Sequence, residues 1–149
     1  MKRFNTKNNP TRQHRQIRKS INQINHNLKR GQFGLRSLSY GRLNSNQVNN
    51  LRKVLNKELK SIEKKSFLGK FKLWFYMLPN KAVTKFSPET RMGKGKGAII
   101  DYCFHVRPGQ LLFEIANFPE EKVPELVVYL RAFLSLKIQI LTKSNQIQK

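Results

Sequence analysis

Between two apolar runs lies Arg91-Met92-Gly93-Lys94-Gly95-Lys96-Gly97, a stretch in which glycine alternates with cation. Glycine has no Cβ, so its backbone reaches positive φ and can lie close against another surface, with each intervening lysine carried on an unobstructed arm. Residues of these types at this spacing meet phosphates. Three uses are open to such a loop: holding a nucleotide, threading into folded RNA, or forming a plain flexible hairpin tip.

The nucleotide use fails on spacing. A phosphate-binding loop of the G-x-x-x-x-G-K type needs a following Ser or Thr to hold magnesium, and no lysine after a glycine here meets that pattern. Gly93, Gly95 and Ala98 fit a looser G-x-G-x-x-A dinucleotide spelling, but that motif opens a helix, whereas Ile99-Ile100-Asp101-Tyr102-Cys103-Phe104 is β-prone. Cys103 and His105 share one strand face, which without a second ligand pair is a buried thiol beside a hydrogen-bonded histidine rather than a zinc site. A ribonuclease could use His14, His26 or His105 as acid and base with a lysine on the phosphorane charge. His14 and His26 fall in a segment whose composition cannot hold a catalytic geometry. No catalytic, cofactor or metal site is expected; a basic ribonuclease and a free-standing RNA chaperone or assembly factor remain as alternatives to structural binding.

What the elements must position is charge. The 149 residues carry a formal charge of +22, which calls for a polyanionic partner. Residues 1–60 contribute +14, residues 61–100 contribute +7 and residues 101–149 only +1, with no acid before Glu58. No apolar run approaches the roughly 18–20 residues of a spanning helix, so no membrane partner is expected. The single Cys103 leaves no intrachain disulfide. The Arg-rich N-terminus lacks a secretory apolar core and overlaps in character with an organelle transit peptide. Abundant Asn, Lys, Ile and Phe, residues with A/T-rich codons, fit the genome of an organelle.

Three regions are expected: a basic extension over 1–32, disordered when free; an α+β domain over 33–143; and a polar tail over 144–149. Phe33 to Leu43 reads as a short strand bent at Gly41. Asn44 and Gln47 form an amide capping box, and Val48, Leu51, Leu55, Leu59 and Ile62 recur at the spacing of an amphipathic helix. Phe71 to Leu78, apolar on both faces, reads as a central strand. Residues 81–90 read as a loop around Pro88. Ala98 to Val106 and Leu111 to Ile115 read as a hairpin across Pro108-Gly109. Pro119-Glu120-Glu121 opens a second helix, which Pro124 either kinks or delays, and Leu136 to Thr142 is the last strand. The order predicts two helices packed on one mixed, mainly antiparallel sheet, with an extended basic N-terminal arm. The cations expected at RNA are Arg12, Arg15, Arg18 and Lys19 of the arm, Arg36 and Arg42 around the bend, and Arg52 and Lys53 on the helix. Arg91, Met92, Gly93, Lys94, Gly95, Lys96 and Gly97 complete the set.

These residues carry a family likeness. Phe33-Gly34-Leu35, Gly41-Arg42-Leu43, Leu73-Trp74, the Arg91–Gly97 string, Pro108-Gly109 and Pro119-Glu120-Glu121 occur in the order seen in the bacterial-type large-subunit ribosomal protein family sixteen. The chain resembles that family from about Phe33 to Thr142. The resemblance implies a fold of the α/β-hammerhead type and a structural role without enzymatic activity. It implies binding of large-subunit rRNA at the base of the central protuberance, near the A-site tRNA. It places the basic loop and arm toward the peptidyl-transferase region, among neighbouring large-subunit proteins and not in a homo-oligomer. The chain departs from the family in its first 30 residues, in a longer connection over 61–70, and at Pro124. With the A/T-rich composition, these departures point to the mitochondrial matrix and its ribosome, with plastid stroma or bacterial cytoplasm as the alternatives.

Overall fold

Helix α1 (Ser45–Lys65) starts where the capping signal stands. The Asn44 N–H donates to Gln47 Oε1 at 2.9 Å, so a donor that the helix itself cannot satisfy finds a side chain three residues on. Ser45 Oγ donates to Asp101 Oδ1 at 2.6 Å and fixes that end of the helix to a neighbouring strand. Val48, Leu51, Leu55 and Leu59 are buried along one stripe, while Arg52, Lys53, Lys57, Lys60 and Lys64 are exposed. Burial of one face sets the helix on the sheets, and the rest is left to solvent and charge. These features belong to a computed structural model, which describes residues 20–65, 69–91, 93 and 95–143.

The strands are β1 (Phe33–Ser37), β2 (Gly41–Asn44), β3 (Lys72–Phe75), β4 (Lys81–Lys85), β5 (Ala98–Val106), β6 (Leu111–Ala116) and β7 (Ile138–Thr142). They form two antiparallel sheets, of order β3-β6-β1-β7 and β2-β5-β4. One hydrophobic cluster joins α1 to both sheets and to helix α2 (Val123–Arg131). The α+β class with two helices therefore holds, but the single expected sheet is two.

Several local expectations change with it. The stretch from Phe33 to Leu43 is two strands in different sheets, separated at residues 38–40. Strand β3 lies at a sheet edge, and the fully buried central run is Leu111–Ile115 of β6. Phe71, Leu73 and Phe75 turn one face to the core, where Phe71 meets Phe118 edge-on at 5.4 Å and the Arg52 guanidinium lies 5.9 Å over the Phe75 ring. Residues 81–85 are a strand, not loop. β5 and β6 are not hairpin partners: the Gly109 N–H donates to Ser37 O at 2.7 Å, so the turn is pinned to β1 and the two strands pass into separate sheets. Glu120–Lys122 is a 3-10 turn capped by Pro119, and α2 begins late, with Pro124 in its first turn where its missing N–H costs little.

Residues 20–32 lie against the domain. The Asn22 N–H donates to Pro108 O at 2.8 Å, the Leu111 N–H to Asn25 O at 2.8 Å and the Gln32 N–H to Ile115 O at 3.0 Å. At Gly31 a Cβ would come within 2.8 Å of Glu114 Cβ and of Ile115 O, so only glycine fits.

Candidate nucleic-acid interface

The Arg91–Gly97 stretch lies in the connection from β4 to β5. Gly93 and Gly95 have φ of 88° and 81°, and a Cβ at either would meet nothing within 4 Å. Glycine is needed there for backbone conformation, and the space around both stays open for a partner. Gly97 differs: a Cβ on it would collide with the Lys85 carbonyl oxygen, so glycine lets the loop base close. Arg91 and Lys96 are exposed. Met92 and Lys94 lie outside the described residues, as do Arg12, Arg15, Arg18 and Lys19 of the arm.

The described root of the arm and the loop stand at opposite ends of β5. Arg107 follows β5, and its guanidinium donates to Ser20 O at 3.2 Å, Ser20 Oγ at 2.8 Å and Ile21 O at 3.1 Å. The arm therefore joins the domain at the C-terminal end of β5, whereas the loop enters at its N-terminal end. Nine residues of strand at about 3.3 Å each separate the two by about 30 Å.

Between them runs a cationic strip that the sequence only half disclosed. Arg42 is paired in register with His105, and Lys81 with Cys103, so both cations stand on one face of the small sheet. Burial, then Lys81, then Arg42 hold the His105 imidazole below its ordinary value and favour its neutral form. Burial pushes the Cys103 thiol up, which leaves it unreactive. Lys81 was missed because Pro79 and Pro88 read as loop punctuation; its signal was the alternation Lys81-Ala82-Val83-Thr84-Lys85. Of the other expected cations, Arg42 and Lys53 are exposed, Arg52 lies over Phe75, and half-buried Arg36 donates from Nη2 to Gln139 Oε1 at 2.6 Å.

A buried carboxylate sets where the arm lies. Glu114, fully buried on β6, accepts from three successive backbone donors: Lys29 N–H to Oε1 at 3.1 Å, and Arg30 and Gly31 N–H to Oε2 at 2.7 and 2.6 Å. The Tyr76 hydroxyl donates to Oε1 at 2.9 Å. Consecutive N–H groups of this kind form an anion nest. Burial alone would push the Glu114 carboxyl up, but the donors from Gly31, Arg30, Lys29 and Tyr76 outweigh it and the net shift is downward. Burial, with the hydrogen bond to Glu114, pushes the Tyr76 hydroxyl up to about 12, so it stays a donor. Sequence reading missed this clamp, because an acid in an apolar run has meaning only once its donors are placed.

Among the described residues, no group of three or more His, Cys, Asp or Glu is placed to hold a metal, and no helix is long and apolar enough to cross a membrane. His26 is half-buried and His14 lies outside the described residues.

The geometry is that of a small α+β domain presenting cations at two ends and along one sheet face, the form of a protein that holds a polyanion. Comparison with known proteins gives the family. Residues 5–141 match the model of ribosomal protein L16p/L10e. The large ribosomal subunit protein uL16m of Chondrus crispus is 37% identical over 114 residues, 76% of this chain and 81% of that protein. The large ribosomal subunit proteins uL16 of Chlamydia trachomatis serovar D and of Chlamydia muridarum are each 35% identical over 117 residues, 78% of this chain and 79% of theirs. The chain belongs to the ribosomal protein L16p/L10e family, and with that it is a structural component of the ribosome rather than an enzyme.

Proposed function

We propose that this chain is a constituent of the large ribosomal subunit that binds large-subunit rRNA at the base of the central protuberance, with its Arg91–Gly97 loop toward the A-site tRNA and the peptidyl-transferase region. The observation that carries the reading is the charge layout along β5: a glycine-opened cationic loop at one end, the root of a basic arm at the other, and Arg42 with Lys81 between. Cations so spaced neutralise phosphates along a length of backbone and read shape rather than base sequence. The protein works as one copy per particle, without cofactor or membrane, beside other large-subunit proteins. The A/T-rich composition and the likeness to a mitochondrial relative support the mitochondrial ribosome as its place; the bacterial relatives are equally consistent with a bacterial cytoplasm.

The test has two arms. A tagged chain is expected to sediment with the large subunit in stoichiometric amount, and finding it mainly free would defeat the reading. Lys96→Cys, carrying a tethered hydroxyl-radical source, is expected to cut peptidyl-transferase rRNA and A-site tRNA. The native Cys103 is buried and does not compete for the tether. Cleavage confined to distant rRNA would refute the placement of the loop while leaving the ribosomal role standing.

A further inference from the structure

The surface least suited to RNA is the outer side of α2. We propose that this side docks a basic, apolar-bearing segment of a neighbouring protein in the same particle, an inference that rests on the ribosomal placement above. Helix α2 buries Val123, Leu126, Val127 and Leu130, yet Val128 is 67% exposed, Tyr129 40% and, just past the helix end, Phe133 41%. A helix facing only water carries charge on that side, as α1 does in this same domain. Here the Tyr129 and Phe133 rings instead meet edge-on at 5.2 Å and form a small aromatic platform. Beside the platform, a groove of about 350 Å³ runs between the helices, with Glu58 and Ile62 of α1 facing Glu125 and Tyr129 of α2.

Charge selects the occupant. Glu58 and Glu125 line the groove with one cation, Lys122, among them, and exposed Glu120 and Glu121 stand at the N-terminal approach to α2, so four of the eight acids in a chain of +22 gather here and outnumber that lysine. A phosphate backbone is repelled by this cluster. A second copy docked symmetrically would bring the same carboxylates face to face. A neutral apolar peptide would desolvate Glu58 and Glu125 without pairing them. A segment with Lys or Arg flanking an apolar side chain satisfies both features: its apolar part covers Val128, Tyr129 and Phe133, and its cations meet the carboxylates.

The experiment places a photo-crosslinking amino acid at Val128 in the full chain and, for comparison, at Lys57 on the exposed cationic side of α1, and reads adducts in purified large subunits. At Val128 the expected adduct is to one protein, through a basic segment; at Lys57 it is to rRNA. Glu121→Lys with Glu125→Lys is expected to lower the protein adduct about fivefold, the size of two exposed charge pairs, with the chain still in the particle. An adduct at Val128 to rRNA or to a second copy of this chain, or none in particles that contain the chain, overturns the proposal. Absence of the chain from the particle is read before any crosslink; it would overturn the ribosomal reading and this inference with it.

Discussion

Replacing Glu114 with Gln tests the clamp that ties residues 29–31 to the central strand. The amide keeps the shape but loses the charge, and only one of its two positions can still accept. With its oxygen left on Arg30 and Gly31, its NH2 faces the Lys29 N–H, a donor against a donor, while the Tyr76 hydroxyl can turn and accept. Each charge-assisted bond that becomes neutral or is lost costs about 1 kcal/mol or somewhat more, so three backbone donors give about 3–4 kcal/mol. For a folded unit of this size that is a fall of roughly 10–15 °C in Tm. The pH dependence has a fixed sign. The folded carboxyl titrates below its ordinary value, so its contribution is complete above about pH 4.3 and is lost as pH falls through the folded value. Glutamine does not titrate, so the gap between wild type and Glu114→Gln should be full at pH 7 and close on acidification. Thermal unfolding by circular dichroism between pH 7 and pH 3 measures this, and tryptic cleavage after Lys29 and Arg30 reports the local release. A variant that melts within about 3 °C of wild type at pH 7, or a gap that does not narrow in acid, or cleavage no faster than in wild type, would refute the reasoning.

Four other perturbations separate binding from folding. Lys94→Ala with Lys96→Ala should weaken incorporation into the large subunit or A-site function while leaving the Tm unchanged; a sharp fall in Tm would make the loop structural. Gly95→Val should cost about 1–2 kcal/mol of local strain from its positive φ and disturb incorporation more than either lysine change. Gly97→Ala, whose added Cβ meets the Lys85 carbonyl, should lower the Tm more than Gly95→Ala, and the reverse order in thermal melts would contradict the packing described. Arg42→Ala with Lys81→Ala should reduce the slope of log affinity against log salt by roughly 1.4–1.8 for an rRNA fragment carrying the site; an unchanged slope would show that the sheet face is not in contact.

What the sequence disclosed was local, and what it hid depended on distant partners. The spacing Val48, Leu51, Leu55, Leu59 located α1, Asn44 with Gln47 located its start, and Pro124 announced either a kink in α2 or a late start, because each signal acts within a few residues. Pro108-Gly109 was equally clear as a turn, yet it misled about pairing. A turn reports that the chain reverses, not which strand lies beside it, and here Ser37 and Asn22 bind the turn residues themselves. Strand β4 hid for a related reason: a short edge strand with Lys81 and Lys85 at its ends resembles a polar loop. In the candidate interface, the loop glycines and Arg42 were legible from composition. Lys81 became part of it only through its register with Cys103. Residues 20–32 lack the apolar content that betrays packing, since their attachment is made mainly by backbone bonds to Glu114, Pro108 and Leu111, and the side chain they bury, that of Asn22, is polar.

The placement of the eight acids joins stability to function. Glu114 accepts from the arm, Asp101 from Ser45 and the Tyr102 N–H, and Glu63 from the Phe71 N–H, so three carboxylates serve as acceptors that fix where segments meet. Four more, Glu58, Glu120, Glu121 and Glu125, gather about α2. Glu89 alone is left beside the cationic loop. A chain of this charge repels itself in the absence of its partner, and scattering acids over the binding side would relieve that repulsion at the expense of phosphate affinity. Confinement of seven of them to internal contacts and to the α2 side is what the proposed phosphate binding would favour. Glu114 and Arg107 fix where residues 20–31 lie against the domain, so disrupting either contact should release that segment while leaving its own residues untouched.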